Sequence, residues 1–121
     1  MLKRSFGTVK VFSLDRAGIR KRLEDLVETR YRPDPNVVAV YLFGSFARGT
    51  AVPGSDVDLL ILLHQDTHPA RERIPDYLPH AFPVGVDVLV WTVGELEERL
   101  AREDRMARTI LAEGEALLDR R

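Results

Sequence analysis

Apolar residues near the start of the chain recur at spacings of four, three, one and four residues, the period of an amphipathic helix. These positions are Ile19, Leu23, Leu26, Val27 and Tyr31. We predict a helix from about Asp15 to Tyr31, with Ser13 or Asp15 as its N-cap and Pro33 ending it. Residues 8–12 are expected to form a short extra strand or an ordered arm.

Three further segments predict strands. Residues 37–43 form an unbroken, β-branched apolar run that is typical of a buried strand. Residues 56–63 and 84–91 are also strongly apolar, and residues 66–83 between them contain four prolines. We expect one or two short helices in that connector. The predicted fold is therefore α/β, a small mixed β-sheet with helices mainly on one face, in which the pattern alone leaves strand order and direction open.

A capping box at residues 92–95 predicts the start of a C-terminal helix. Apolar residues continue at helical spacing from Leu96 to Leu111, and Gly114 is expected to end the helix. Residues 115–119 fit a short edge strand or a terminal turn. Because no repeat or long linker divides the chain, we expect residues 1–121 to be one domain.

Gly44 and Ser45 follow the first predicted strand, where a phosphate can approach the backbone. Glycine leaves N–H groups open to an anion, and Ser45 adds a hydroxyl at the predicted start of a helix. Arg48 lies on the same side of that helix and is predicted to steady pyrophosphate, with an ordinary surface arginine as the alternative. Ser55 is either a turn former or a phosphate contact. A Gly-Ser pair alone is usually only a turn.

Aspartates stand out in two of the predicted strands. Asp56 and Asp58 are two residues apart, so both should point to the same face of a strand. Asp87 lies among apolar neighbours in the next strand, where aspartate is disfavoured. Two of them have a structural alternative, a solvated turn for Asp56 and a buried arginine partner for Asp87. Asp58 is harder to explain structurally, because it lies inside the predicted strand between apolar neighbours. Together the three aspartates are predicted to hold two Mg²⁺ ions, because Mg²⁺ prefers carboxylates combined with nucleotide phosphates.

This pattern resembles the nucleotidyltransferase superfamily that includes DNA polymerase β. The shared order is Gly-Ser, ten intervening residues, Asp-x-Asp, and a lone Asp in a later strand. The strings GSFARG (residues 44–49) and SDVDLL (residues 55–60) resemble the minimal nucleotidyltransferases, the MNT family, which includes MntA-type antitoxins. The resemblance extends over roughly residues 37–118.

The resemblance implies a protein adenylyltransferase that moves AMP from ATP to a hydroxyl of a partner, with two Mg²⁺ ions. In antitoxin members the partner is a HEPN-domain toxin, which the modification silences. On the residues alone, two metals would clamp the attacking and leaving oxygens of a nucleotidyl transfer. Gly44 and Ser45 would hold the β- and γ-phosphates, and Asp87 would receive the acceptor proton.

Charge and composition narrow the remaining possibilities. Residues 1–32 carry a net charge of +5 and residues 33–121 a net charge of −6, so no long basic groove is expected and RNA is disfavoured as the acceptor. No segment predicts a membrane span or a signal peptide, which favours a cytoplasmic location. At 121 residues we expect no second substrate-binding domain, so a surface or a partner would select the acceptor. The competing hypothesis is a binding module that masks its partner without chemistry, and assembly into homo- or hetero-oligomers stays open.

Overall fold

The first helix of the computed structural model begins where the sequence predicts. The structure describes residues 15–121, so the predictions for residues 8–12 and for a Ser13 cap lie outside the described residues. Helix α1 spans Arg16–Leu26 and is capped by Asp15, whose carboxylate accepts a hydrogen bond from the Gly18 N–H at 2.9 Å. It continues into a π-helical turn over Val27–Tyr31. No helix within the described range is long and apolar enough to cross a membrane.

Four strands within residues 15–121 form a mixed sheet. Its strands are β1 (Val37–Phe43), β2 (Val57–Leu63), β3 (Val86–Thr92) and β4 (Glu115–Asp119). Their order is β3-β2-β1-β4; β1 runs antiparallel to β2 and β4, whereas β2 and β3 are parallel. The predicted mixed α/β fold is confirmed, and the edge-strand alternative for residues 115–119 is the correct one.

Helices cover both faces of this sheet, whereas we expected them mainly on one. Alternate residues of β2 separate the two layers: Leu59 and Ile61 pack toward α1, on the α1 face, while Leu60 and Leu62 pack on the opposite face. That opposite face, here called the α4/α5 face, is covered by Leu96 of α4 and by residues of α5. The sequence explains this arrangement, because β1 is apolar at every position and such a strand must be covered on both sides.

The connectors contain two short helices. Helix α2 spans Ser45–Arg48, directly after β1, and α3 spans Ala70–Tyr77, with Pro69 at its N-cap. The Tyr77 backbone carbonyl accepts a hydrogen bond from the buried Tyr31 hydroxyl at 2.6 Å, and the half-buried Tyr77 side chain packs against the core of the α1 face. Tyr77 therefore has a packing role.

The C-terminal helical region is two helices instead of the single one predicted. Helix α4 spans Val93–Ala101 and starts with the predicted capping box, and α5 spans Arg105–Glu113. Between them Glu103 adopts a left-handed backbone conformation with φ 59°, and the Asp104 carboxylate accepts a hydrogen bond from the Ala107 N–H at 3.0 Å. A new N-cap thus restarts the helix, while the apolar spacing runs through the break unchanged.

Candidate active site

Gly44 joins β1 to α2 in a conformation that only glycine adopts readily. Its φ of 76° and ψ of −155° lie in a region that L side chains avoid. A Cβ at this position would also overlap the carboxylate of Asp58 and lie 3.1 Å from its Cγ. The absence of a side chain at residue 44 therefore lets the backbone approach an aspartate of the neighbouring strand.

Asp58 and Asp87 are direct neighbours across the parallel strands β2 and β3, paired in register. Because side chains alternate between the two faces along a strand, Asp58 lies on the same face as Leu60 and Leu62, and Asp87 lies on the same face as Trp91. Both carboxylates therefore belong to the α4/α5 face. Asp58 is half-buried and Asp87 is exposed. The structure therefore brings these two predicted site residues together on one side of the sheet.

Asp56 lies immediately before β2, one residue outside the strand that was predicted to contain it. Its carboxylate lies against the backbone of Gly85, where a Cβ would be 3.0 Å from the Asp56 Cγ. The Gly85 carbonyl accepts a hydrogen bond from the Val57 N–H at 2.9 Å, which fixes the two segments side by side. Sequence reasoning missed Gly85, although a glycine at the start of a strand often marks such a close approach.

The three carboxylates influence one another electrostatically. Burial, followed by the negative charges of Asp87 and Asp56, raises the pKa of Asp58 above its usual value, and the positive charge of Arg48 partly opposes that rise. Ionised Asp58 therefore sits in a locally unfavourable, negative environment. A bound cation would relieve that repulsion.

The donor chemistry fits Mg²⁺ that is shared with a nucleotide. Within residues 15–121 no group of three His, Cys, Asp or Glu side chains is arranged to hold a metal ion by itself. Mg²⁺ is, however, usually bound through one or two carboxylates plus substrate phosphates rather than in an all-protein cage. Asp58 and Asp87, paired on one face, supply hard oxygen ligands of that kind.

The remaining predicted residues surround this centre. Ser45 is the first residue of α2, and the guanidinium of the exposed Arg48 is 3.7 Å from the Glu113 carboxylate of α5. Ser55 shapes the loop before β2, because its hydroxyl accepts a hydrogen bond from the Val52 N–H at 2.9 Å. Ser55 thus fills the turn-forming role that the sequence offered as its alternative.

A buried arginine does exist near β3, but it pairs with another acid. Arg73 of α3 is only 3% exposed and donates two hydrogen bonds to Glu95, at 2.7 and 2.9 Å. It also donates to the Val90 carbonyl at 3.1 Å. The structural alternative for Asp87, a buried arginine partner, is therefore not realised by Arg73.

Comparison with known proteins gives one family match. Residues 18–114 match the model of the nucleotidyltransferase domain family. A curated relative, the bifunctional uridylyltransferase/uridylyl-removing enzyme of Burkholderia pseudomallei, is 35% identical over 88 residues. The aligned segment covers 69% of this chain but 10% of that protein, so the chain spans about a tenth of the relative's length.

Two solved structures resemble the chain to different degrees. A Sulfolobus solfataricus protein assigned as a nucleotidyltransferase superimposes with a TM-score of 0.54 at 22% identity, covering 81% of this chain and 85% of that one. A toxin–antitoxin structure with AMP-PNP gives a TM-score of 0.49 at 20% identity, covering 88% of this chain and 74% of that one. The first likeness supports the fold alone, and the second is too low to support an inference about partners.

Proposed function

Because the chain belongs to the nucleotidyltransferase domain family, we propose that it transfers a nucleoside monophosphate from a nucleoside triphosphate to a hydroxyl group of a partner protein. The observation that carries this proposal is the in-register pairing of Asp58 with Asp87, beside a glycine whose backbone lies against the Asp58 carboxylate. A half-buried acid among like charges lowers the stability of the folded state, and residues that lower stability in this way mark functional sites.

The nucleotide phosphates would lie on the β1 side of this pair. Gly44 and Ser45 are the first residues beyond β1, and Arg48 is close enough to Asp58 for its charge to lower the Asp58 pKa. Arg48, which lies near Asp58, would bind the departing pyrophosphate through charge-assisted hydrogen bonds. Ser55 would act through the loop shape and not through a phosphate contact.

The acceptor hydroxyl would approach from the β3 side. Among residues 15–121, β3 is an edge strand and Asp87 is exposed, so a group on another macromolecule can reach its carboxylate. The acceptor oxygen forms a bond to the α-phosphorus, and the bond from that phosphorus to the bridging oxygen of the β-phosphate breaks. Pyrophosphate leaves with the bonding electrons, and the acceptor proton passes to Asp87.

Asp56, Asp58 and Asp87, together with the nucleotide phosphates, would hold the divalent metal, proposed to be two Mg²⁺ ions. When bound, the metal supplies charge neutralisation for the oxygens on which negative charge develops. Without it, the three carboxylates would repel the triphosphate as well as one another.

ATP is the proposed donor, and UTP is the second candidate. The ATP proposal follows from the likeness of GSFARG and SDVDLL to the minimal nucleotidyltransferases. The UTP alternative is favoured by the 35% identity to an enzyme named as a uridylyltransferase. On the same sequence likeness we propose that the partner is a HEPN-domain toxin and that the transfer acts as its antitoxin, in the cytoplasm.

The proposal is tested by incubating the protein with Mg²⁺, α-labelled ATP or UTP, and the protein encoded by the neighbouring reading frame. We expect label on that protein, and we expect Asp58→Asn and Asp87→Asn to lower the rate by at least about 100-fold. Asp25→Asn, an exposed acid on α1, is the matched control and should transfer at the wild-type rate.

Three other results would decide against the proposal. Wild-type transfer by Asp58→Asn would remove the role of the carboxylate pair. Tight binding of the partner without label would indicate a masking module. Label on RNA would indicate a different acceptor class, which the net charge of −6 over residues 33–121 disfavours.

A further inference from the structure

An apolar cavity of about 380 Å³ opens on the surface between β1 and α5. Its lining residues are Phe43, Arg105, Met106, Thr109 and Ile110. The Met106 side chain is 50% exposed, which is unusual for a large apolar residue beside a strand that is otherwise buried. The volume lies within the range of small-molecule pockets, and its mixture of apolar walls and a few polar groups is typical of them.

This cavity lies on the same face of the sheet as the carboxylates. Phe43 is the register partner of Asp58 across β1 and β2, and it packs with the cluster of the α4/α5 face. Two other cavities, of about 200 and 260 Å³, are lined by residues of α1 and lie on the α1 side instead. The cavity beside Phe43 therefore lies on the Asp58 face of the sheet, next to the strand position that pairs with Asp58.

The order of strands assigns the cavity to one of the two substrates. Asp58 lies on β2, with Asp87 on β3 to one side and Phe43 on β1 to the other. The proposed acceptor approaches at Asp87, so the Phe43 side belongs to the nucleotide. Gly44 and Ser45, proposed to bind the phosphates, directly follow Phe43 in the chain.

We propose that this cavity holds the nucleobase of the nucleoside triphosphate, an inference that rests on the proposed function. Phe43 offers an aromatic ring to a planar base, and Met106 offers a polarisable apolar surface that adapts to its shape. Arg105 and Thr109 line the same cavity and can hydrogen-bond to the edges of a base. These residues would therefore determine which base is accepted.

The test separates base contacts from phosphate contacts. Dissociation constants are measured with Mg²⁺ for ATP, UTP and inorganic tripolyphosphate, which lacks a base. We expect Met106→Ser to weaken the tighter of the two nucleotides about tenfold, equivalent to about 1.4 kcal/mol, and to change tripolyphosphate by less than about twofold. Met106→Leu, which keeps the apolar surface but lacks the polarisable sulfur, should weaken the same nucleotide by less than Met106→Ser does.

Leu78→Ser is the matched control, since Leu78 is also an exposed apolar residue, at 36%, but lies at the end of α3. Met106→Ser weakening tripolyphosphate as much as the nucleotide, or weakening neither, would overturn the inference. So would normal nucleotide binding with lowered transfer to the partner, which would make the cavity a partner-docking site. If the wild type binds none of the three probes, the proposed function itself fails.

Discussion

Replacement of Asp58 by asparagine should make the folded protein more stable while it removes the activity. The Asp58 carboxylate is half-buried against the Gly44 backbone, and its pKa is raised by that burial and by the charges of Asp87 and Asp56. Asparagine has nearly the same shape but no charge. The substitution therefore removes an unfavourable interaction from the folded state without creating a cavity.

The size of the gain follows from the strand geometry. Neighbouring strands lie about 4.8 Å apart. At that separation, two unit negative charges repel by about 0.9 kcal/mol in bulk water and about 3.5 kcal/mol at an effective dielectric constant of 20. Because Asp87 is exposed, the smaller, bulk-water value of the repulsion applies. We therefore expect Asp58→Asn to add about 1 kcal/mol to the free energy of unfolding. For a chain of this size that gain raises Tm by about 4 °C.

The gain should also depend on pH in a defined direction. The pKa of Asp58 is higher in the folded state than its usual value of 3.8, so the folded protein binds the proton more tightly than the unfolded chain does. The wild type therefore loses stability as the pH rises from 3.8 through the folded pKa. The advantage of Asp58→Asn should be complete at neutral pH and should vanish below the usual aspartate pKa.

Urea unfolding followed by circular dichroism at pH 7 and at pH 3 measures this difference. Asp25→Asn, which removes an exposed acid of α1, should leave the free energy of unfolding unchanged. Added Mg²⁺ with nucleotide should stabilise the wild type and leave Asp58→Asn largely unaffected. Destabilisation by Asp58→Asn at pH 7 would show that the charge makes favourable contacts, and the argument from repulsion would be wrong.

Three further substitutions test other parts of the structure. Gly44→Ala should lower the free energy of unfolding, measured in urea, by about 3 kcal/mol, and Gly49→Ala should lower it by only about 1 kcal/mol. Both glycines have a left-handed φ (76° and 75°), but only a Cβ at residue 44 would meet other atoms. Arg73→Ala should lower the free energy of unfolding by about 3 kcal/mol, because it empties a buried position and removes the hydrogen bonds to the half-buried Glu95 and to the Val90 carbonyl. Arg71→Ala, at an exposed position, should change it very little. Burial raises the pKa of Tyr31 to about 12 from 10.0, so the wild type should lose stability as the pH rises from 10 to 12, and Tyr31→Phe, measured alongside it, should lose less.

Much of the fold could be predicted because the apolar pattern is strong where the core is. The helix at Arg16–Leu26 and the strand Val37–Phe43 begin within a residue or two of their predicted positions. The unbroken apolar run of β1 also contained the information that both faces are covered, which the prediction of helices mainly on one face did not use. Strand order could not be read from the pattern, because it depends on contacts between distant segments.

The break between α4 and α5 could not be found by periodicity. Leu100 and Ala107 are seven residues apart, which is two helical turns, so a continuous helix and an interrupted one have the same spacing. The interruption depends on a local choice at Glu103 and Asp104, where the side chain of Asp104 replaces a backbone acceptor. Aspartate is common on exposed helix surfaces, so its capping role becomes visible only with the backbone in place.

The candidate site shows a similar limit, since the sequence identified the three aspartates and singled out Asp58 as the hardest to explain structurally, but could not predict how exposed each one is. All three lie in or beside apolar strands, and periodicity assigns them no difference in burial. In the structure Asp56 and Asp87 are exposed and Asp58 alone is half-buried, in register between β1 and β3. Repulsion and burial therefore both act on Asp58, the least exposed of the three carboxylates. A cation shared with a nucleotide would remove more of that cost at Asp58 than at its two neighbours, so stability and ligand binding should be coupled most strongly through this residue.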